Sequence, residues 1–282
     1  MLMVSSRLAE SYISTAFLPR QLKKSNYRFP MSTQTAFNMA FCTDLNFYDF
    51  CDTVDREMDE SFNRAMISFS RPHLAYLRRN YHFSHLDSRK GVVIDVGGGL
   101  GQVSIYLMNI FPKLRFIVQD RENVLEQSRQ LFNLGVQSSD RLTLMAHNFF
   151  LQQPSREILG IRAEQPIVYL LKHIVHNCDN ETCLRLLNPI AKALKSHDRL
   201  LLYDIVLDSH GDDQPMIVTE ARLSASLINL SIFGGRYRNE SDFRHLFSQI
   251  DPPLMIYNVS EERDSMADSM RVIEAGLGES KY

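Results

Sequence analysis

The sequence is poor in cysteine, has no long apolar run and carries almost no net charge. Its four cysteines do not form C-x-x-C pairs, so the chain has neither a zinc-binding signature nor the spacing of a disulfide framework. No apolar stretch approaches the ~20 residues that a membrane-spanning helix needs. Residues 1–7 lack the apolar core of a signal peptide, and residues 278–282 carry no prenylation or ER-retention motif. These absences predict a cytoplasmic protein with reduced thiols and without a metal site.

The charge balance argues against two classes of partner. The 31 Lys and Arg residues offset 33 Asp and Glu residues, which gives a net charge of -2 and an isoelectric point near 6.5. Binding to nucleic acid or to an anionic membrane normally requires a basic surface. At 282 residues, with 44% apolar and 23% charged residues, the chain has the composition of a globular protein. We therefore expect one large domain with an appendage, and no nucleic-acid or membrane partner.

Strand-like and helix-like segments alternate from about residue 88 to the end of the chain. The strand-like segments are apolar at successive positions, which is typical of parallel strands covered by helices on both faces. This pattern predicts a doubly wound, Rossmann-like α/β fold with a mainly parallel sheet. We divide the chain into a helical N-terminal segment, 1–87, and a domain that spans 88–282. The predicted strands are 91–96, 114–120, 142–146, 166–171 and 199–206, and the predicted helices are 103–110, 122–134 and 180–194.

The N-terminal segment contains one clear helix. Apolar residues recur every three or four positions between residues 55 and 80, which predicts an amphipathic helix. Pro72 is expected to end or kink this helix near Arg71, because proline has no main-chain N–H to donate. Residues 1–34 contain two prolines and scattered basic residues, and the pattern predicts no firm element there. The apolar stripe of the helix comprises Met58, Phe62, Met66 and Phe69.

A strand, a glycine-rich loop and a helix start follow one another at residues 95–103. Glycines let the main chain approach a ligand, and the first turn of a helix offers free N–H groups. Asp120 ends the next strand, where it can accept hydrogen bonds from ribose hydroxyls. The alternative is a tight turn next to a solvated acid. A dinucleotide fingerprint fails because its third glycine, counted from Gly97, falls on Gln102, so NAD is disfavoured.

Two motifs carry a resemblance to a known family. The loop D-V-G-G-G-L-G at 95–101, with an acid at the end of the next strand, resembles the first motif of class I methyltransferases that use S-adenosylmethionine. Residues 171–183 are similar to the L-K/R-x-I-x-H-D-W-x-D-E-x-C segment of the small-molecule O-methyltransferases of plants and fungi, of the caffeate and sterigmatocystin type. The resemblance runs in order from about residue 35 to 275. Further similar segments lie at 35–37, 62–66, 233–238 and 269–275.

The resemblance implies S-adenosylmethionine as the cofactor and assigns residues to its binding. Asn148 stands where the family usually has aspartate; it loses the charge but keeps a carbonyl oxygen for the adenine amino group. Lys172 corresponds to a cofactor-site lysine, and the alternative is a solvated cation at a strand end. The implied cofactor residues are Ser70 at the amino acid end, Gly97 at the main-chain approach, Asp120 at the ribose, Arg121, Asn148 and Phe149 near the adenine, and Lys172.

The resemblance also implies His176 as a general base. A free phenol has a pKa of about 10 and a free imidazole a pKa of about 6.5, so a nearby histidine can take the hydroxyl proton as the oxygen attacks a sulfonium methyl group. His173 is the competing histidine, and the register of the motif favours His176. Asp204 corresponds to the first of two acids that flank the base. Tyr237 stands in place of the second acid, with a hydroxyl but no negative charge.

The implied function is methylation of a phenolic or enolic small molecule in fungal-type secondary metabolism. Phe62 and Met66 correspond to acceptor-pocket positions, although their helical spacing also fits an ordinary core. Asn177 and Cys178 replace the Asp and Trp that usually follow the base, and Tyr237 replaces a glutamate. These departures keep two other functions open. One is a cofactor-binding protein that catalyses another reaction, such as dehydration or a pericyclic rearrangement; the other is a non-catalytic binding partner.

The chain is short beside the family that it resembles. Family members carry an additional N-terminal winged-helix region through which they dimerise, and residues 1–34 are too few to form it. The sequence leaves open a truncated gene product and a reduced form of the family. It also leaves open whether the protein is a homodimer.

Overall fold

A mixed, mostly parallel β-sheet forms the centre of the structure, a computed structural model that describes residues 5–132, 140–207, 216–261 and 270–278. The strands are β1 (Val92–Val96), β2 (Arg115–Asp120), β3 (Leu142–Ala146), β4 (Ile167–Lys172), β5 (Arg199–Leu207), β6 (Arg238–Asn239), β7 (Leu254–Val259) and β8 (Met270–Leu277). Within these residues the order is β3-β2-β1-β4-β5-β8-β7, with β6 beside β5. Strands β1 to β5 run parallel, whereas β8 is antiparallel to β5 and β7 is antiparallel to β8.

Helices cover both faces of this sheet. The helices are α1 (Ser5–Lys24), α2 (Ala36–Phe41), α3 (Phe47–Thr53), α4 (Arg56–Ser70), α5 (Leu74–Arg79), α6 (Phe83–Ser88), α7 (Gln102–Ile110), α8 (Glu122–Leu131), α9 (Asn180–Ala193), α10 (Met216–Phe233) and α11 (Glu240–Ser248). Alternate residues of β1 point to opposite faces, because Val92 and Ile94 pack with α9 and α11 while Val93 packs with α5 and α7. The predicted Rossmann-like fold with a mainly parallel sheet is therefore confirmed.

The predicted elements of the domain correspond to β1 to β5 and to α7, α8 and α9. Residues 133–134 of the predicted helix 122–134 lie outside the described residues. The antiparallel strands β7 and β8 were not predicted as strands. They extend the sheet beyond β5, with β8 antiparallel to β5 and β7 antiparallel to β8.

The order of the strands determines where a ligand site can form. Strand β1 has β2 on one side and β4 on the other. Strands β2 and β3 are added on one side of β1 and the later strands on the opposite side, so β1 is the point at which the strand order reverses. In doubly wound sheets the ligand crevice lies beyond the carboxyl ends of the strands at this point. The residues at these three ends are Gly97 after β1, Asp120 at the end of β2 and Lys172 at the end of β4.

The helix predicted between residues 55 and 80 is present in two parts. α4 ends at Ser70, a 3-10 turn spans Arg71–His73, and α5 follows, so the chain departs from α-helix at Pro72 as predicted. This break leaves Ser70 at the end of α4, next to the carboxyl edge of the sheet. The side chain of Phe69, the last residue of the predicted stripe, lies outside the described residues.

The expectation of no firm element at residues 1–34 is wrong, because α1 occupies most of that range. α1 contains Pro19 and packs against α2 and α10. An aromatic cluster joins α2 and α3 to α10, since Phe37 and Phe47 pack with Ile232 and Phe233 of α10. Long-range packing therefore supports α1, and local periodicity does not reveal it. The N-terminal helices contact the predicted domain, and the division at residue 87 stays a prediction.

Candidate active site

One large cavity opens at the carboxyl ends of β1, β2 and β4, between the sheet and the N-terminal helices. Its volume is about 1130 Å³. Eleven of the twelve residues that the sequence analysis assigned to a site line its wall. The twelfth, Asp204, is buried and bound to the ring of His176. The eleven wall residues are Phe62, Met66, Ser70, Gly97, Asp120, Arg121, Asn148, Phe149, Lys172, His176 and Tyr237.

The glycine loop after β1 is tied to the end of β2. Gly97 and Gly99 have φ values of 65° and 59°, in the left-handed region where other residues are strained. The main-chain N–H of Gly99 donates to Asp120 Oδ2 at 2.8 Å, and that of Arg121 donates to Asp120 Oδ1 at 2.8 Å. Desolvation raises the pKa of Asp120. Each carboxylate oxygen keeps a second lone pair, so Asp120 can still accept hydrogen bonds from a ligand.

A second acid supports this loop from inside the sheet. Asp95 is buried at the end of β1, and Ser104 Oγ donates to its Oδ2 at 2.7 Å. Burial raises the pKa of Asp95 to about 6, while the hydrogen bond from Ser104 and the charge of Lys172 oppose that rise. The protonation of Asp95 is therefore sensitive to pH in the mildly acidic range.

Three polar side chains meet at the end of β4. Lys172 Nζ donates to Ser70 Oγ at 3.0 Å, and Gln102 Nε2 lies 3.4 Å from the same oxygen. Lys172 is 9% exposed and Ser70 is 3% exposed. The alternative of a solvated cation at a strand end is therefore wrong for Lys172. Gln102, at the start of α7, was not predicted as a site residue, because sequence separation hides its contact with Ser70.

The residues of the cavity fit S-adenosylmethionine. Gln102 Oε1 is buried and has no hydrogen-bond partner within the described residues, so it offers an acceptor to a ligand. Lys172 offers a charged donor beside it. The amino acid part of the cofactor carries both an ammonium group and a carboxylate, which require an acceptor and a donor. Asp120, in the same cavity, provides the acceptor that a ribose requires.

Arg121 and Asn148, predicted near the adenine, already make contacts within the protein. The guanidinium of Arg121 donates to the carbonyl oxygen of Tyr48 at 2.9 Å and to Asp59 Oδ1 at 3.1 Å, so it joins β2 to the N-terminal helices. Asn148 Oδ1 accepts from the main-chain N–H of Phe150 at 3.0 Å. The oxygen of Asn148 keeps one lone pair for a ligand amino group.

His176 lies in a 3-10 turn after β4 and is held by the carboxylate of Asp204. The ring Nδ1 lies 2.5 Å from Asp204 Oδ1. Asp204 Oδ2 accepts from the main-chain N–H groups of Val175 and His176 at 2.9 and 3.2 Å. The same acid therefore holds both the ring and the main chain of His176. The side chain of His176 is 11% exposed, and it reaches the cavity.

Two further rings surround His176. The ring of Tyr237 lies edge-on to that of His176, with 5.8 Å between centroids and 81° between planes. His173 also lines the cavity, with its ring centroid 5.4 Å from that of His176, and has a φ of 58°. Tyr237 thus makes an aromatic contact at the position where the family resemblance has an acid.

Arg238 and Gly235 organise the same segment and were not predicted as site residues. Arg238 is 1% exposed, and its guanidinium donates to the carbonyl oxygens of Val175 and Cys178 at 3.1 and 2.9 Å. A side chain at Gly235 would come within 2.3 Å of the carbonyl oxygen of His176. Both residues lie in the segment 233–238, which is one of the segments similar to the family. That similarity was the only sequence signal that could have identified them.

Aromatic side chains form part of the cavity wall. Phe62 packs edge-on against Phe47 with centroids 5.3 Å apart, and Tyr48 stacks on Phe233 at 5.4 Å. Phe62 therefore belongs to an apolar cluster and also lines the cavity, and its role in an acceptor pocket stays a prediction. Met66, one turn further along α4, lines the cavity as well.

The remaining features concern metals, membranes and thiols. Within the described residues no three His, Cys, Asp or Glu side chains are close enough to hold a metal ion. Over the same ranges no helix is long and apolar enough to cross a membrane. All four cysteines are free thiols.

Comparison with known proteins identifies the family. A family profile described as the O-methyltransferase domain matches residues 30–250. The chain belongs to this family. It is 31% identical over 274 residues to an O-methyltransferase of Stachybotrys chartarum, a match that covers 96% of this chain and 65% of that protein. It is 32% identical over 269 residues to an O-methyltransferase of Emericella nidulans, which covers 94% of this chain and 86% of that protein.

A solved structure agrees with the sequence comparisons. The mitomycin 7-O-methyltransferase superposes with a TM-score of 0.71 at 27% identity, covering 93% of this chain and 68% of that one. The family expected from the motifs is confirmed, and so, at the level of the family, is S-adenosylmethionine as the cofactor. The chain spans 65% of the length of its Stachybotrys relative.

Proposed function

We propose that the protein is an S-adenosylmethionine-dependent O-methyltransferase that acts on a phenolic or enolic small molecule in fungal secondary metabolism. The observation that carries the proposal is the pairing of His176 with Asp204, at 2.5 Å, in the wall of the cavity that also contains the glycine loop and Asp120. A base, an orienting acid and a cofactor crevice in one cavity are the parts that such a reaction needs. Kinship with two fungal O-methyltransferases supports the reaction class.

Asp204 determines which nitrogen of His176 serves as the base. A carboxylate can only accept, so Nδ1 carries the hydrogen and Nε2 carries the lone pair. Nε2 takes the proton of the acceptor hydroxyl, which makes that oxygen a better nucleophile. The negative charge of Asp204 then stabilises the imidazolium. When bound, S-adenosylmethionine supplies a methyl group on a sulfonium sulfur, so the reaction is a direct displacement that depends on orientation.

The cavity wall supports a flat, aromatic acceptor. Tyr48 and Phe233 present stacked rings, and Phe62 lies edge-on to Tyr48 with centroids 6.0 Å apart. Aromatic side chains favour offset or edge-on contacts with other rings. Such a wall binds a ring whose hydroxyl faces His176.

Transfer of a tritium-labelled methyl group from the cofactor to a pool of polyphenols tests the proposal. The wild-type protein is expected to yield labelled methyl ethers. His176→Ala should transfer label roughly a hundredfold more slowly while binding S-adenosylhomocysteine with unchanged affinity. Asn188→Ala, in which a side chain outside the cavity lining loses a hydrogen bond from the main-chain N–H of Asp251, is the control and should behave as wild type. A wild-type protein that binds the cofactor but labels no phenol or enol would contradict the proposed function.

A further inference from the structure

Three polar side chains link the aromatic wall of the cavity to the segment that carries His176. Asn177 Nδ2 donates to Tyr48 Oη at 2.9 Å, and Asn177 Oδ1 accepts from Asn229 Nδ2 at 2.6 Å. Tyr48 belongs to α3, Asn229 belongs to α10, and Asn177 directly follows His176. The amide of Asn177 therefore joins two helices to the segment of the proposed base.

The direction of these hydrogen bonds follows from one main-chain oxygen. Asn177 Nδ2 lies 3.4 Å from the carbonyl oxygen of His173, which can only accept, so the amide nitrogen faces that side. The oxygen of Asn177 then faces Asn229, whose nitrogen must be the donor. The oxygen of Asn229 lies against Gly235, where a Cβ would be 2.2 Å from Asn229 Oδ1 and 2.3 Å from the carbonyl oxygen of His176. Glycine at 235 lets this amide and the main chain of His176 pack together.

Tyr48 is held at its ring and at its main chain. The ring stacks on Phe233 with centroids 5.4 Å apart and lies edge-on to Phe62 at 6.0 Å. Its carbonyl oxygen accepts from Arg121 Nη1 at 2.9 Å, and Arg121 directly follows the ribose acid Asp120. Tyr48 is thus connected to the cofactor side through its main chain and to the base segment through its hydroxyl.

We propose that Asn177 and Tyr48 are positioning residues, whose hydrogen bond sets the distance between the aromatic wall that carries the acceptor and the imidazole of His176. This inference rests on the proposed function. Other contacts hold His176 differently: Asp204 binds its ring and main-chain N–H, and the main-chain N–H of Arg236 donates to its carbonyl oxygen at 2.9 Å. Neither of these contacts reaches the wall that binds the acceptor. The Asn177–Tyr48 hydrogen bond provides that connection.

An aspartate at position 177, as in the motif of the family, would make different contacts. Asn177→Asp keeps an acceptor for Asn229 and for the hydroxyl of Tyr48. It also places a carboxylate oxygen near the carbonyl oxygen of His173, where the amide nitrogen now lies at 3.4 Å. Two acceptors without a hydrogen between them repel each other. Asn177→Asp is therefore expected to lie between the wild type and Asn177→Ala in every measurement below.

Steady-state kinetics of a double-mutant cycle form the first test, with Tyr48→Phe, Asn177→Ala and the double variant. Tyr48→Phe removes one hydroxyl and keeps the ring that packs on Phe233. We expect kcat to fall roughly tenfold in each single variant and no further in the double variant, because both remove the same hydrogen bond. The affinity for S-adenosylhomocysteine should stay unchanged. Asn188→Ala is the control for loss of an asparagine hydrogen bond at a residue that does not line the cavity.

A second test does not depend on turnover. Long-range ¹H–¹⁵N spectra of the ligand-free protein, labelled at its histidines, report the ring nitrogens of His176, and the His176→Gln variant identifies its signals. Asn177→Ala and Tyr48→Phe should shift or broaden these signals, whereas Asn188→Ala should leave them in place. All spectra are recorded where circular dichroism shows each variant to be folded.

The two tests separate the positioning role from the proposed function. A wild-type protein that transfers no methyl group would overturn the proposed function, and the spectra would still decide whether Asn177 and Tyr48 position His176. Unchanged His176 signals in both variants overturn the inference. Additive losses of kcat in an active enzyme overturn it as well, since independent effects would show that the two residues do not act through one hydrogen bond.

Discussion

The carboxylate of Asp204 holds both ends of the His176 residue, with Oδ1 2.5 Å from the ring Nδ1 and Oδ2 3.2 Å from the main-chain nitrogen. One buried acid therefore orients the imidazole and also holds the main chain of the 3-10 turn that presents it. The main-chain N–H of Ile205 donates to the same Oδ1 at 2.7 Å. Loss of one charge at this position should affect orientation and stability together.

Asp204→Asn tests this double role. The amide nitrogen cannot accept a hydrogen bond, so at least one buried N–H group loses its partner, which costs about 1–3 kcal/mol in the free energy of unfolding. The free-energy loss calculated from the fall in turnover should exceed the loss in the free energy of unfolding, because the ring of His176 also loses its orienting charge. Urea denaturation and methyl transfer are measured side by side, with the exposed Asp251→Asn as the control. Wild-type turnover in Asp204→Asn would show that the acid is purely structural.

The two histidines of the cavity are expected to differ in function. His176→Ala should lower turnover by roughly a hundredfold or more, the usual scale for a positioned general base. His173→Ala should have a smaller effect, although the ring of His173 lies 5.4 Å from that of His176. Single-turnover rates with saturating cofactor compare the two variants directly. An inactive His173→Ala beside a fully active His176→Ala would mean that the base has been assigned to the wrong histidine.

Asp120→Ala should weaken the binding of S-adenosylhomocysteine by roughly 1–3 kcal/mol, the scale of hydrogen bonds to a charged group. The variant removes the ribose acceptor and also releases the N–H of Gly99, which donates to Asp120 at 2.8 Å. Calorimetric titration measures the affinity. Glu240→Ala, which removes a surface partner of Arg244, should bind as the wild type does. Tighter binding of NAD than of S-adenosylhomocysteine would contradict the cofactor assignment.

Asp95 should make stability depend on pH. Its pKa is about 6 in the folded protein, above the ordinary 3.8, because burial disfavours the charged form. Its contribution to stability is therefore fully present below the ordinary pKa and is lost as pH rises through about 6. Between about pH 4 and pH 7 the unfolding free energy of the wild type should fall relative to that of Asp95→Asn by up to ~3 kcal/mol. Urea denaturation across this range measures the difference between the wild type and Asp95→Asn. The corresponding difference between the wild type and Asp251→Asn should not change with pH.

Local sequence patterns located the glycine loop and Asp120, which line the same cavity. The glycine loop follows β1 directly and Asp120 ends β2, so strand periodicity and a short motif locate both. The segment 171–183, which contains His176, was also predicted from a contiguous motif. The contacts that support this segment could not be predicted from the motif. Asn177 is 129 residues from Tyr48 and 52 residues from Asn229 along the sequence. Such contacts depend on packing that no local pattern contains.

The N-terminal helices illustrate the same limit. α4 shows an apolar stripe and was predicted together with its break at Pro72. α1 has little amphipathic periodicity and contains Pro19, so its helical state depends on packing against α2 and α10. Arg238 is a comparable case within the site. An arginine is usually exposed, and only the folded chain brings carbonyl oxygens of the base segment to its buried guanidinium.

Substitutions at Tyr237 can distinguish a working methyltransferase from a protein that has lost this reaction. Its ring lies edge-on to His176 at 5.8 Å, where the family resemblance has a glutamate. In an active enzyme, Tyr237→Glu adds a negative charge beside the ring and favours its protonated form. Because a protonated imidazole cannot act as a base, the acidic limb of the pH–rate profile should move to higher pH, and the rate near neutral pH should fall unless orientation improves.

Two matched variants make this last prediction specific to charge. Tyr237→Gln has nearly the shape of the glutamate variant without its charge, and Tyr237→Phe keeps the ring while removing the hydroxyl. Only Tyr237→Glu should move the acidic limb, because only that side chain carries the charge that acts on His176. If the chain catalyses no methyl transfer, all three variants should alter acceptor binding without producing turnover. A pH–rate profile of Tyr237→Glu identical to that of the wild type would mean that residue 237 does not act on the histidine electrostatically, and the correspondence drawn between residues 233–238 and the family motif would fail at this position.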